Sequence, residues 1–297
     1  MRQKLIRDFI SDLLTDKKMT DKLRISFEFF PPKTEKGMEK LATVRKELQA
    51  AAPDFFSVTY GAGGSTRDNT KNIVREMKSE GLSVAPHLSF GVDDDETILS
   101  LLNEYKEAGV DRIVALRGDV PVGMAGASKR VYASQLVEFI RKHFDTQFQL
   151  EVAAYPEIHP EAISYDQDIA FLKGKFDAGA DAAITQYFFN PDAYFFFIEQ
   201  CEIAGIKKPI YPGIMPITNF SKLSRFSEGC GAEIPRWIRK RLEAYGDDVQ
   251  SIKSFGLELV SELCAMLLEN GAPGLHFYTM NQTEPTMAIL KNLKLDK

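Results

Sequence analysis

Five times along this chain a helix-patterned stretch runs into a glycine, and a β-rich run follows almost at once. The junctions read SEGLSV, EAGVDR, DAGADA, IAGIKK and ENGAPG. Glycine tolerates the left-handed backbone that closes a helix, so each junction predicts a helix cap feeding a strand. The β-rich runs are ISFEFF, DFFSVTYG, SVAPHLSF, DRIVALRG, FQLEVAAYPE, AAITQYFF, PIYPGIMP and LHFYTM. Each mixes β-branched, aromatic and small apolar residues and is bounded by turn formers. Stretches such as Glu39 to Leu48 and Thr97 to Tyr105 have helical periodicity and lie between them. Eight strands alternating with helices in 297 residues predict an α/β fold, a (β/α)8 TIM barrel. An open doubly wound sheet is the alternative. No linker breaks the pattern, so residues 1–297 read as one domain.

The start of the chain adds to this plan. Leu5, Ile6, Phe9, Ile10, Leu13 and Leu14 recur at helical spacing, with charges between them. That is an extra N-terminal amphipathic helix and not a signal peptide. No apolar run approaches the ~20 residues of a membrane helix. With 37 Lys and Arg against 42 Asp and Glu, the net charge of −5 argues against a nucleic-acid partner. The three cysteines, Cys201, Cys230 and Cys264, are far apart and form no CxxC. A disulfide framework is not expected, and a cytoplasmic location is.

Three stretches overrun the repeat: Asp119 to Arg130, Pro156 to Tyr165, and Asn219 to about Asp248. The first two directly follow strands, where barrel loops line the active-site face. The third contains Trp237 and several charges and reads equally well as an extra surface helix. Strand parity points the same way. One face carries Phe27 and Phe29, Phe56 and Val58, Val84 and Leu88, Val114 and Leu116, Val152 and Ala154, and should pack under the helices. The other carries Ser26 then Glu28, Ser57 then Thr59, Ala85 then His87, Ala115 then Arg117, Ala153 then Tyr155. Small residues topped by polar ones suggest a mouth cleared for a large planar ligand. An interior polar network that only satisfies itself is the alternative.

Several motifs are missing. Neither GxGxxG after the first strand nor GxxxxGK[ST] occurs, so no Rossmann or P-loop nucleotide site is supported. GAGGS at Gly61 to Ser65 reads as a tight strand-to-helix turn. His87, His143, His159 and His276 are not spaced as HExxH, so no metal site is expected. His143 reads as structural, near a helix end.

The segments SFEFFPPKT, SVTYGAGG, APHL, ALRGD, VAAYPEIHPE, DAGADAAITQYFF, PGIMPITN and HFYTMN, in this order, resemble the bacterial 5,10-methylenetetrahydrofolate reductase family. The resemblance runs from about Ser26 to Asn281. It implies a (β/α)8 barrel that holds FAD non-covalently. It also implies a ping-pong reaction in which NADH reduces the flavin and leaves. The flavin then reduces 5,10-methylenetetrahydrofolate to 5-methyltetrahydrofolate, which supplies methyl groups for methionine synthesis. A homo-oligomer is expected, and inhibition by S-adenosylmethionine through a C-terminal regulatory domain is not. Two other readings stay open: another FAD barrel oxidoreductase of the proline dehydrogenase type, and a non-redox folate-binding methyltransferase module.

Carried over residue by residue, the resemblance implies FAD contacts at Tyr60, Ala62, His87, Arg117, Gly118, Asp119, Tyr132, Ala133, Tyr155, His159, Asp168 and Lys175. Arg117, His159 and Lys175 can offset diphosphate charge, and Asp168 can accept from ribose or adenine groups. Without the resemblance, Lys175 reads equally well as a solvated helix charge. Glu28, Thr59, Asp119, Gln186, Phe220 and Gln282 fall at the nicotinamide and folate site, with Phe220 as a ring that stacks on or gates the two substrates. At Gln282 bacterial relatives commonly carry Arg. Gln lacks the charge that would hold the folate glutamate tail, so a nearby Lys or Arg would have to substitute.

Glu28 and Asp119 are the catalytic candidates. Opening the folate's five-membered ring needs a proton on the leaving nitrogen, and Glu28, pointing inward from the first strand, is the expected general acid. Burial beside aromatic walls should favour its neutral form, whereas an Arg117 partner would hold it ionised. A carboxylate at Asp119 would lower the flavin's reduction potential. Asp119→Asn should therefore raise the midpoint potential and slow hydride delivery to folate. Spectroelectrochemical titration measures this, and an unchanged potential would move Asp119 away from the flavin.

Overall fold

The structure is a computed structural model and describes residues 23–60, 67–90, 93–117 and 132–296. The expected N-terminal helix, Ala62, Gly118, Asp119 and the GAGGS turn lie outside the described residues. The strands are β1 (Arg24–Phe29), β2 (Phe55–Val58), β3 (Val84–Leu88), β4 (Arg112–Ala115), β5 (Gln149–Ala154), β6 (Ala182–Thr185), β7 (Ile210–Tyr211), β8 (Gly213–Ile214) and β9 (Gly274–Tyr278). The helices are α1 (Glu35–Leu48), α2 (Arg67–Ser79), α3 (Asp95–Glu107), α4 (Ala133–Phe144), α5 (Tyr165–Asp177), α6 (Pro191–Ile203), α7 (Phe220–Cys230), α8 (Arg236–Tyr245), α9 (Val249–Glu269) and α10 (Glu284–Asn292). The five junction glycines, Gly81, Gly109, Gly179, Gly205 and Gly271, all have positive φ and stand where helices give way to strands, as expected.

All strand pairs are parallel, in the order β7-β6-β5-β4-β3-β2-β1-β9-β8. β7 and β8 are two halves of one strand broken at Pro212. Tyr211 pairs with Ile184 of β6, whereas Gly213 pairs with His276 of β9. The Pro212 carbonyl accepts from His276 N–H at 3.0 Å. This broken strand joins the two sheet edges and closes a (β/α)8 barrel.

Closure demands a close approach at Gly213. Its N–H donates to Thr185 Oγ1 at 2.9 Å. A Cβ there would stand 2.1 Å from the Thr185 carbonyl oxygen and 2.6 Å from the Tyr278 ring.

Outside the strands, Phe27, Phe29, Phe56, Val58, Ile113, Ala115, Val152 and Ala154 join the helices in one core. Inside the barrel, Phe55, Ala85, Val114 and Ile184 form a separate small cluster with Leu116 against it. Parity is therefore inverted in β4 alone. Val114 and Leu116 face inward, and Ala115 faces the helices. The register agrees, since Val114 stands opposite His87 and Glu151, both interior. β4 ends at Ala115, so Arg117 lies past its last ladder residue.

Below this cluster the barrel axis is charged. Glu151 is fully buried between Arg24, at 2.9 Å, and Arg112, at 2.5 Å. The Arg24 guanidinium also lies 3.5 Å over the Tyr211 ring, and both arginines lie near 4.8 Å over Phe55, Arg112 at 4.7 Å. The Asn219 to Asp248 stretch forms α7 and α8, with Trp237 exposed.

Gly213→Ala should destabilise the barrel by ~1–3 kcal/mol or more, the range for forced overpacking. Urea unfolding measures it, and an unchanged midpoint would mean that the β7–β8 joint yields freely.

Candidate active site

The inward residues at the C-terminal ends of the strands converge on Glu28. Its carboxylate is 3.2 Å from His87 Nε2 on β3 and 3.6 Å from His276 Nε2 on β9. His276 Nδ1 in turn meets Ser26 Oγ at 2.7 Å. β1 pairs with β9 in a register that sets Ser26 opposite His276 and Glu28 opposite Tyr278. These four positions are thus locked by the ladder itself. Tyr278 donates to the Thr185 carbonyl at 2.7 Å and stands edge-on to His276. Thr279 and Asn281 pin the end of β1: Thr279 Oγ1 donates to the Glu28 carbonyl, and Asn281 brackets the backbone of Phe30.

This geometry corrects the expectation for Glu28. Burial pushes its carboxyl up, but His87 and His276 pull harder, and the pKa falls to about 2. Glu28 stands ionised between two imidazoles. Its partner is also not Arg117, which forks onto Glu161 at 2.5 and 3.0 Å. Burial holds His276 below the usual imidazole range although Glu28 opposes this. Parity, read only through the fifth strand, missed His276 and Tyr278. Extended to LHFYTM, it would have turned both inward.

A second group gathers beside the mouth. Arg117 follows β4, Tyr155 and His159 follow β5, and Asp168 and Lys175 lie on α5. The His159 N–H donates to Asp168 Oδ2 at 2.8 Å, its Nδ1 accepts from Glu161 N–H at 3.0 Å, and its ring meets Tyr155 at 4.5 Å. Lys175 is not a solvated helix charge. It is drawn in to donate to the Ala153 carbonyl at 2.8 Å. Burial lowers its pKa to about 8, with Asp168 opposing and Arg117 adding to the shift. Burial also lowers His159, which Arg117 and Lys175 push the same way against Asp168 and Glu161. Tyr132 caps α4 and Ala133 is its first residue; the exposed Tyr132 ring stacks on Phe171 of α5. Tyr60 lies further round the rim, its hydroxyl accepting from Arg67, which pairs with Asp93.

The remaining candidates ring the mouth. Thr59 follows β2, and Gln186 follows β6 with its side-chain carbonyl turned to Tyr187 N–H at 3.0 Å. Phe220 opens α7, half-buried against the core, just after the capping Asn219. Gln282 sits in the turn after β9, where Met280 and Asn281 both have φ of 53°. Among the described residues, no three or more His, Cys, Asp or Glu side chains are grouped to hold a metal ion. None of the described helices is long and apolar enough to cross a membrane.

A closed parallel barrel with a carboxylate–imidazole set at its mouth and a cationic group beside it has the architecture of a barrel enzyme. A model of the methylenetetrahydrofolate reductase family matches residues 13–294. The 5,10-methylenetetrahydrofolate reductase of Escherichia coli (strain K12) is 37% identical over 288 residues, covering 97% of this chain and 95% of that protein. The enzyme of the same name from Pectobacterium carotovorum is 38% identical over 92% of this chain and 90% of its own. A rice protein called probable methylenetetrahydrofolate reductase (NADH) is 38% identical over 91% of this chain but only 48% of its own length. The chain belongs to the methylenetetrahydrofolate reductase family and is an enzyme of the oxidoreductase class. A solved Clostridium thermocellum protein, described as binding two copies of 5-methyl-5,6,7,8-tetrahydrofolic acid, shares the fold at 20% identity. Its TM-score is 0.59, over 96% of this chain and 98% of that one.

Proposed function

We propose that this chain binds FAD non-covalently and reduces 5,10-methylenetetrahydrofolate to 5-methyltetrahydrofolate with NADH, the two substrates taking turns at one site. The product supplies methyl groups for methionine synthesis in the cytoplasm. The whole chain acts as one catalytic domain within a homo-oligomer. The observation that carries this reading is Glu28 held between two imidazoles at the mouth of a barrel from a folate-reductase family.

The residues present fit FAD. Burial, with Arg117 adding to it, lowers both Lys175 and His159, and a diphosphate placed against these groups would favour their charged forms. Tyr132 and Phe171 offer an exposed aromatic face at the same side. When bound, the flavin supplies a ring that accepts hydride from NADH and gives it to the one-carbon unit of the folate. Tyr60, Ala62, Gly118, Asp119, Ala133 and Tyr155 complete the proposed cofactor contacts. Thr59, Gln186, Phe220 and Gln282 surround the alternating substrates. NADH is named in the rice relative, which supports it as the donor here.

Glu28 serves the proton that ring opening requires. Alone and ionised, it has none to give, so the donor is the carboxylate–imidazole pair. A folate covering the mouth strengthens desolvation and shifts the proton toward the carboxylate. His87, 3.2 Å away, is the side chain placed to pass it.

Glu28→Gln keeps size and hydrogen bonding but breaks the pair. It should leave FAD content and flavin reduction by NADH near normal. Flavin reoxidation by methylenetetrahydrofolate should slow by ~10²–10⁴-fold, the usual loss for general acid–base catalysis. Stopped-flow absorbance separates the two half-reactions. Equal losses in both would give Glu28 an organising role instead, and a yellow protein bleached by proline but not by NADH would favour the proline dehydrogenase reading.

A further inference from the structure

The loop after β5 carries a carboxyl group that faces away from the proposed chemistry. Glu157 Oε2 accepts the backbone N–H of Glu233, in the α7–α8 loop, at 2.8 Å. The contact bridges 76 residues of sequence. Two features beside it make the contact close. Gly231 caps α7 with φ of 77°, and a Cβ there would come within 2.6 Å of Pro160 Cγ. Ala232 and Ile234, flanking Glu233, are buried. The loop that bears Tyr155 and His159 is thus clasped to the end of α7.

α7 is a rod of 11 residues, roughly 16 Å long, and Phe220 is its first residue. In its last turn, Ser227 Oγ meets Tyr187 Oη at 3.0 Å, and Cys230 Sγ lies 3.5 Å from the same hydroxyl. Tyr187 directly follows Gln186 and packs edge-on against Tyr278. The rod is thus gripped at its far end, by Tyr187 in its last turn and by Glu157 just beyond it, and the direction it takes from there carries Phe220.

We propose that Glu157 is a positioning residue: by holding the Glu233 N–H it fixes the seat of α7, and through it the place of Phe220 over the mouth, relative to the loop of Tyr155 and His159. The inference rests on the functional reading above only for what Phe220 does to substrates.

Charge gives the clasp a distinctive signature. Glu157 faces Glu233 from the α7–α8 loop and Tyr187 from the end of β6, with Cys230 and Tyr278 behind Tyr187. Burial, helped by the Glu233 charge and opposed by the N–H, raises the Glu157 pKa to about 7. In an opened loop the same carboxyl would titrate near its ordinary value of 4.5. Between 4.5 and about 7 closing therefore takes up a proton, so its free-energy cost grows with pH across that window; above about 7 the carboxyl is ionised in both states and the cost stays constant. The clasp weakens across that window and levels off beyond it.

Amide hydrogen exchange on the full-length protein tests this. Protection factors at Glu233 and at Leu223, whose N–H donates to Asn219 in the first turn of α7, should fall as pH rises from about 5 to 7 and then flatten. Glu157→Gln should remove the pH dependence at both, and Gly231→Ala should lower protection without changing its pH profile. The KM for methylenetetrahydrofolate should rise several-fold between pH 6 and 7.5 in the wild type, with kcat changing less, and should not rise in Glu157→Gln. An unchanged profile in Glu157→Gln would overturn the proposal, as would a Leu223 that ignores the variant. If the wild type turns over no folate at all, the functional reading fails, and exchange at Leu223 alone decides whether Glu157 seats α7.

Discussion

A closed barrel must fill its own axis, and this one does so at its base with charge. Glu151 is enclosed by Arg24, whose guanidinium lies over both Phe55 and Tyr211, and by Arg112, whose guanidinium lies over Phe55. Burying three ions is expensive, and their mutual attraction offsets the cost only when the geometry holds. Removing one partner from such a set typically costs ~3–5 kcal/mol, because a buried charge is left uncompensated. The three residues come from β1, β4 and β5, so the set fixes strands from both halves of the barrel at one depth. Phe55, Ala85, Val114 and Ile184 fill the middle, with Ser26, Ser57 and Ala153 set opposite Phe55, Ala85 and Ile184 by the ladders, and the polar residues that follow on those strands lie toward the mouth.

From that mouth upward, strand register does the positioning. Ser26, Glu28, His276 and Tyr278 belong to two adjacent strands whose ladder sets them opposite each other in pairs. Their side chains cannot drift apart without breaking backbone hydrogen bonds. A carboxylate placed this way is preorganised toward two imidazoles before any ligand arrives. The cationic group around Lys175 is built differently. It draws on a strand end, a loop and a helix, and its members repel one another. One site is set by a ladder, and the other is assembled from a strand end, a loop and a helix around a buried lysine.

Most of the fold was legible because repetition made it so. Glycine caps, β-rich runs and helical periods repeat at regular spacing, and local preference agreed with the closed barrel throughout. The site was legible where parity was followed to the end of a strand. Glu28 and His87 were found that way, whereas β4 was misread because Arg117 lies past its last ladder residue. What sequence could not supply was partnership. That Glu28 lies ionised between His87 and His276, and that Lys175 turns inward to the Ala153 carbonyl, depend on strands distant in the chain. Residue type gave the candidates, but protonation followed from neighbours.

The same distinction separates the two layers of the rim. Residues that face the axis are set by ladders and leave little freedom. Those behind them, Glu157, Tyr187, Ser227 and Cys230, are joined by hydroxyl, thiol and backbone contacts between loops. Such contacts are individually worth only ~0.5–1.5 kcal/mol net, so this layer can rearrange at small cost. On the proposed reading, in which a nicotinamide and then a folate take turns at one site, the enzyme needs rigidity at the axis and compliance behind it. In this barrel the two properties fall on different residues: Glu28 is held by β1 and β9, while α7, which carries Phe220, hangs from Tyr187 and Glu157.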